Sequence, residues 1–147
     1  MRKVANKLEA ERVLNACKLK KTAPRLLVLS IIAEKNMAIA SPVLMKKIKD
    51  MNRSTRYKVL QTLESRGIIY KLFNSNGITH YAISQLDPAG VQPVVRLHFN
   101  CVKCKKIYLL NELNCAVPPV PRGFRADKFS ICISGTCSSC SESQVIV

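Results

Sequence analysis

The chain has 147 residues, 48% of them apolar, which suffices for one substantial core or two small ones and excludes a disordered tail. Lys and Arg number 24 against 9 Asp and Glu, a net charge of +15. Residues 1–86 carry 17 basic and 5 acidic side chains (+12) and 87–147 carry 7 and 4 (+3), so the first half fits a polyanion.

No apolar window reaches the roughly 18 to 20 residues of a membrane span. The opening Met1-Arg2-Lys3-Val4-Ala5-Asn6-Lys7 has the charge of a leader peptide but no apolar run behind it. A cytoplasmic setting is therefore expected, in which the seven cysteines are reduced or bind metal.

Val4, Leu8, Val13, Leu14 and Cys17 give a loose helical pattern among charges. A second helix opens at Thr22-Ala23-Pro24-Arg25, with Thr22 as N-cap and Pro24 in the first turn, where its missing N–H costs nothing. Its apolar run Leu26 to Ile32 ends near Glu34-Lys35-Asn36. Ser41-Pro42 repeats the start signal for a short third helix, and Asn52-Arg53-Ser54-Thr55 starts a fourth, with Tyr57, Leu60 and Leu63 at helical spacing. After Gly67 the pattern turns to strands, 68–73 and 78–83, joined by Asn74-Ser75-Asn76-Gly77, a hairpin signal.

Helices followed by a two-stranded hairpin predict a winged helix-turn-helix, with the segment from Ser54 to Arg66 as recognition helix. Arg53, Arg56 and Lys58 are long enough to reach DNA, and Ser54 and Thr55 can donate to phosphates. Tyr57 can stack on sugar or a thymine methyl, or sit in the core. Lys71 on the wing is a phosphate candidate or a solvated lysine, and Lys20 and Arg25 complete the candidate DNA-binding set.

The second half holds Cys101-Val102-Lys103-Cys104 and Cys137-Ser138-Ser139-Cys140, two CxxC pairs separated by residues 105–136. Two such pairs complete a tetrahedral zinc site, and four thiolates leave no open position for a hydrolytic water. Both are expected in turns, after strands at 94–99 and 131–133. With two histidines in the chain and no nucleophile motif, no catalytic constellation forms, and an enzyme is not expected. Cys17 and Cys132 read as small buried hydrophobes; for Cys115, ahead of a proline-rich stretch, a redox role is not favoured.

Five motifs in order resemble the ferric uptake regulator family: Leu19-Lys20-Lys21-Thr22-Ala23-Pro24-Arg25, Ser54-Thr55-Arg56-Tyr57-Lys58-Val59-Leu60, Gly77-Ile78-Thr79-His80-Tyr81, His98-Phe99-Asn100-Cys101-Val102-Lys103-Cys104 and Gly135-Thr136-Cys137-Ser138-Ser139-Cys140. The resemblance implies an α+β chain: a winged-helix DNA-binding domain over 1–86 and a small β-rich dimerisation domain over 87–147, stapled by structural zinc. It implies a homodimer that binds a palindromic operator on double-stranded DNA, usually as a repressor, and it gives Tyr57 a DNA contact. Lys58 stands where the family has arginine, keeping the charge and losing bidentate geometry.

The departures concern the sensory metal. Of the family's histidine-rich cluster before the first CxxC only His98 remains, a residual candidate ligand; Val95, Arg96 and Leu97 stand beside it, and Arg96 repels a cation. Ala82 replaces the typical acid after Tyr81, and Phe129 replaces a later histidine. An N/O metal site needs several such ligands, so a regulatory metal stays open, and so does its absence. Two non-enzymatic readings follow: a sequence-specific regulator, or a module that pairs with a related regulator and no longer reads DNA itself.

Overall fold

The computed structural model describes residues 2–84, 94–110 and 118–142. The domain boundary expected at 86/87 and Cys115 lie outside these residues.

Four helices build the first lobe: α1 (Arg2–Ala16), α2 (Ala23–Ile32), α3 (Ser41–Lys47) and α4 (Arg53–Ser65). Thr22 holds the N-cap position of α2 with extended backbone, but its side chain makes no cap bond. The α3 helix begins one residue earlier than its start signal, with Ala40 as N-cap and Pro42 in the first turn, a position that fits proline's fixed φ. At α4 the cap is a side chain: Asn52 Oδ1 accepts the Ser54 N–H at 2.8 Å and the Ser54 hydroxyl at 2.8 Å. Ala10, Leu14, Val28, Leu29, Ile32, Leu44, Ile48, Val59, Leu60 and Leu63 are buried together between the helices.

Gly67, at φ 71°, ends α4 and turns the chain into β2 (Ile69–Phe73). The hairpin to β3 (Thr79–Ile83) closes on Asn74, whose Oδ1 accepts the N–H of Asn76 and Ile78, and on Gly77 at φ 75°. A two-residue strand, β1 (Ile39–Ala40), too short for periodicity to reveal, adds to β3 and gives the order β1-β3-β2. Both faces of this sheet are covered. Ile69 and Tyr81 face the helical core, while Tyr70, Leu72 and Ala82 pack on Ile107 and Leu109 of the second lobe.

The second lobe is the sheet β5-β4-β6, from β4 (Val94–Cys101), β5 (Ile107–Leu109) and β6 (Lys128–Gly135), followed by the short helix α5 (Ser138–Glu142). β4 runs two residues past the C-terminal end of the sequence reading and β6 runs longer than it at both ends, and the two pair in parallel, from Val94↔Lys128 to Cys101↔Gly135. β6 is an edge strand, and Cys132 on it is exposed rather than buried as expected. Cys17 lies in the turn after α1, half-buried against the helical core.

The lobes are stitched through backbone. Ala38 N–H donates to Ile107 O at 3.0 Å and Leu109 N–H to Asn36 O at 3.1 Å, so residues 36–38 extend the second sheet just before β1 joins the first.

Candidate nucleic-acid interface and metal centre

The cap at Asn52 starts α4 at Arg53, and the positive end of a helix dipole favours an anion there. Val59, Leu60 and Leu63 turn inward. The 100° step per residue then puts Arg53, Ser54, Tyr57, Lys58 and Gln61 on the opposite side, and all five are exposed. Tyr57 is 68% exposed, which removes it from the core. A large aromatic ring displayed between basic side chains suits stacking or a methyl contact. Thr55 and Arg56 are half-buried, and the Arg56 Nε lies buried without a partner. The sequence groups Arg56 with Arg53 and Lys58 as a side chain that reaches DNA; the helix brings it round toward the core side.

The remaining basic candidates lie elsewhere. Lys20 is exposed on the loop before α2, and Arg25 donates from Nη1 to the Lys20 carbonyl at 2.8 Å, holding that loop. Lys71 on β2 lies 3.3 Å from Glu64 on α4, with both side chains about two-fifths exposed. A pair that open contributes ~0–1 kcal/mol and leaves the lysine free to exchange partners.

Cys101 ends β4, Cys104 follows three residues on, and β6 returns beside them to deliver Cys137 and Cys140. The second pair leads into α5 rather than a plain turn, with Cys140 inside the helix. The four Sγ atoms all lie within 4.8 Å of one another. Cys104 and Cys137 are 3.8 Å apart at sulfur, about the S···S edge of a tetrahedron with Zn–S bonds of ~2.3 Å.

The surroundings prepare anionic sulfur. The Cys137 and Cys104 N–H groups point at Cys101 Sγ, 3.4 and 3.5 Å away, and draw its pKa down to about 6. The Tyr108 phenol O–H on β5 donates a hydrogen bond to Cys137 Sγ, which keeps the phenol protonated above its usual range and pulls the Cys137 pKa down. Cys140 is pushed the other way, to about 12, by its hydrogen bond with Cys137. Four sulfurs so close cannot all ionise without a cation among them. A zinc ion held by Cys101, Cys104, Cys137 and Cys140 would supply that charge in a closed, structural site.

His98 is 5% exposed with Nδ1 unpartnered, and burial lowers its pKa below the usual value, so the ring is neutral. His80 is also buried and uses its Nδ1 on the Ile78 carbonyl at 2.9 Å, holding the wing turn. Among the described residues the four cysteines are the only group of three or more His, Cys, Asp or Glu side chains able to hold a metal. Sequence reasoning missed two contacts. One is the Tyr108–Cys137 hydrogen bond; the other is Arg96, whose guanidinium carbon lies 3.9 Å over the Tyr70 ring and whose Nη2 donates to Ser84 Oγ at 3.2 Å. Both join residues far apart in sequence.

An α+β chain with a winged helix-turn-helix and a four-thiol β lobe that suits structural zinc is thereby defined. The sequence pattern of the ferric uptake regulator family matches residues 16–115, and the chain belongs to that family of transcription regulators. No curated protein matches it in sequence. Among solved structures it is similar to a zinc uptake regulator complexed with zinc and DNA, at 19% identity and a TM-score of 0.63, covering 97% of this chain and 97% of that one. The Vibrio cholerae ferric uptake regulator aligns at 19% identity and a TM-score of 0.55, covering 86% and 98%. The Helicobacter pylori ferric uptake regulator aligns at 19% and 0.56, covering 94% and 93%. At these identities the likeness is one of fold.

Proposed function

We propose that the chain is a sequence-specific transcription repressor that binds double-stranded DNA as a homodimer on a palindromic operator, with structural zinc in its second domain. The observation that carries this reading is the outward face of α4: Arg53, Ser54, Tyr57 and Lys58, all exposed at the N-terminal half of a capped helix in a strongly basic lobe. Thr55 and Arg56 flank that face, and Lys20, Arg25 and Lys71 serve phosphates on either side. The DNA-binding domain spans 1–86 and the zinc-stapled dimerisation domain 87–147. A cytoplasmic location accompanies DNA binding and reduced thiols; among the described residues no helix is long and apolar enough to cross a membrane. His98, buried, neutral and three residues before Cys101, is the remaining candidate for a sensory ligand, and its neighbour on the strand face is the cationic Arg96.

The test is fluorescence anisotropy of the zinc-loaded protein with its own promoter fragment and with a scrambled one, at fixed salt, with and without added Fe(II), Mn(II) or excess Zn(II). Preference for the promoter fragment that is equal in all metal conditions is the expected result. Preference that emerges only with added metal would show that a sensory site exists, with His98 and a cysteine as its candidate ligands. Equal affinity for both fragments would contradict DNA reading and favour a module that pairs with a related regulator.

A further inference from the structure

Beside the apolar packing of Tyr70, Leu72 and Ala82 on Ile107 and Leu109, polar contacts at three places among the described residues hold the second lobe against the far face of the wing sheet. Near the cysteines, Asn74 Nδ2 donates to Lys105 O at 3.4 Å. In the middle lie the two backbone bonds of residues 36–38 with β5. At the other end is Arg96. Alternation along β4 puts Arg96, His98 and Asn100 on one face of the strand, and Arg96 touches both arms of the wing hairpin, at β2 and just past the end of β3. Its guanidinium lies over Tyr70 of β2, and its Nη2 bonds Ser84, just past β3. Ser84 N–H donates to Ile68 O at 2.8 Å, and Ile68 N–H donates to Leu63 O of α4 at 2.9 Å. From Arg96 a short run of hydrogen bonds thus reaches the C-terminal turn of α4.

A strand stitch of two hydrogen bonds fixes distance but acts as a hinge for rotation. A planar guanidinium stacked on a ring and bonded at its edge to a hydroxyl resists that rotation, because the stack and the edge bond are oriented independently. We propose that Arg96 is a positioning residue that fixes the angle of the winged helix, and hence of α4, relative to the zinc lobe. The angle is held by a cation belonging to the chain. Its consequence at DNA rests on the regulator reading, since two α4 helices of a dimer must meet two half-sites at a set spacing; the clamp between lobes does not.

Hydrogen exchange measures the clamp directly, because among the described residues the Ala38 and Leu109 amides are the backbone donors that cross between lobes. In the zinc-loaded protein, Arg96→Ala should speed exchange of both amides about tenfold while the amides of Leu60 and Leu63 and the zinc content stay unchanged. Arg96→Lys should keep only part of the protection, since an ammonium cannot stack as a plane and bond at its edge together. Ser84→Ala, which removes one hydroxyl, should give a smaller increase at the same two amides. If Arg96→Ala also releases zinc, the lysine and Ser84 variants decide. Unchanged exchange at Ala38 and Leu109 in the Arg96 variants, or faster exchange spread equally through α4, overturns the proposal. Promoter binding in the same variants should fall with the loss of protection; absence of promoter binding in the wild type would count against the regulator reading and leave the exchange result standing.

Discussion

The first lobe closes on thirteen buried apolar side chains drawn from four helices and a sheet. The described part of the second buries Leu97, Ile107 and Leu109 besides Cys101 and Cys137, and two of those three aliphatic chains pack outward on the wing rather than into their own lobe. One lobe has a core of its own; the other completes its interior with a neighbour's surface and with four sulfurs. Small domains lacking apolar volume commonly use metal in this way. The difference also divides the work: an autonomous core lets α4 leave its outer face polar and exposed, whereas the zinc lobe spends its surface on contacts.

The comparison is broken most severely at the metal. Cys101→Ser, or a strong chelator, should abolish zinc retention and the cooperative unfolding of the second lobe while the first keeps its helical circular dichroism, because a structural metal site carries much of the folding free energy of a lobe this small. Zinc analysis and far-ultraviolet melting test this, and a Cys101→Ser protein that melts like the wild type would show that the sulfurs are not what holds the lobe. The converse experiment acts on the other core. Leu63 is fully buried beneath α4, so Leu63→Ala should cost ~2–5 kcal/mol in chemical denaturation, from lost burial and the cavity left behind, without lowering zinc stoichiometry. Loss of zinc in that variant would show that the lobes fold as one unit.

Much of the first lobe was legible because its signals are local. Pro24 and Pro42 mark first turns, Asn52 marks a cap, and Asn74 with Gly77 marks the hairpin. The thiol site was legible from spacing alone, since each CxxC brings its two sulfurs together whatever surrounds it. What the sequence hid depends on distant partners. Thr79–Ile83 lacks clean alternation because the second lobe covers the face that would otherwise meet water. The parallel pairing of β4 with β6 joins segments separated by a long connection and has no turn to announce it. Cys132 is exposed because β6 lies at an edge, a property of strand order rather than of residue type. Arg56 was grouped with its basic neighbours, and only the helix's actual rotation against the core sets it apart from Arg53, Tyr57 and Lys58. Arg96 read as a misfit among missing ligands and acquires a role only beside Tyr70 and Ser84.

The central claim is that the outward face of α4 reads DNA, and the most direct test is a salt series of promoter binding by the double variant Tyr57→Ala/Lys58→Ala. Both side chains are exposed, so zinc content and melting should match the wild type. Preference for the promoter fragment over scrambled DNA should fall by ~1–3 kcal/mol or more, with a shallower salt slope from the lost lysine and residual non-specific binding intact. A double variant that keeps the full preference and the wild-type slope would contradict the account and move recognition off this helix.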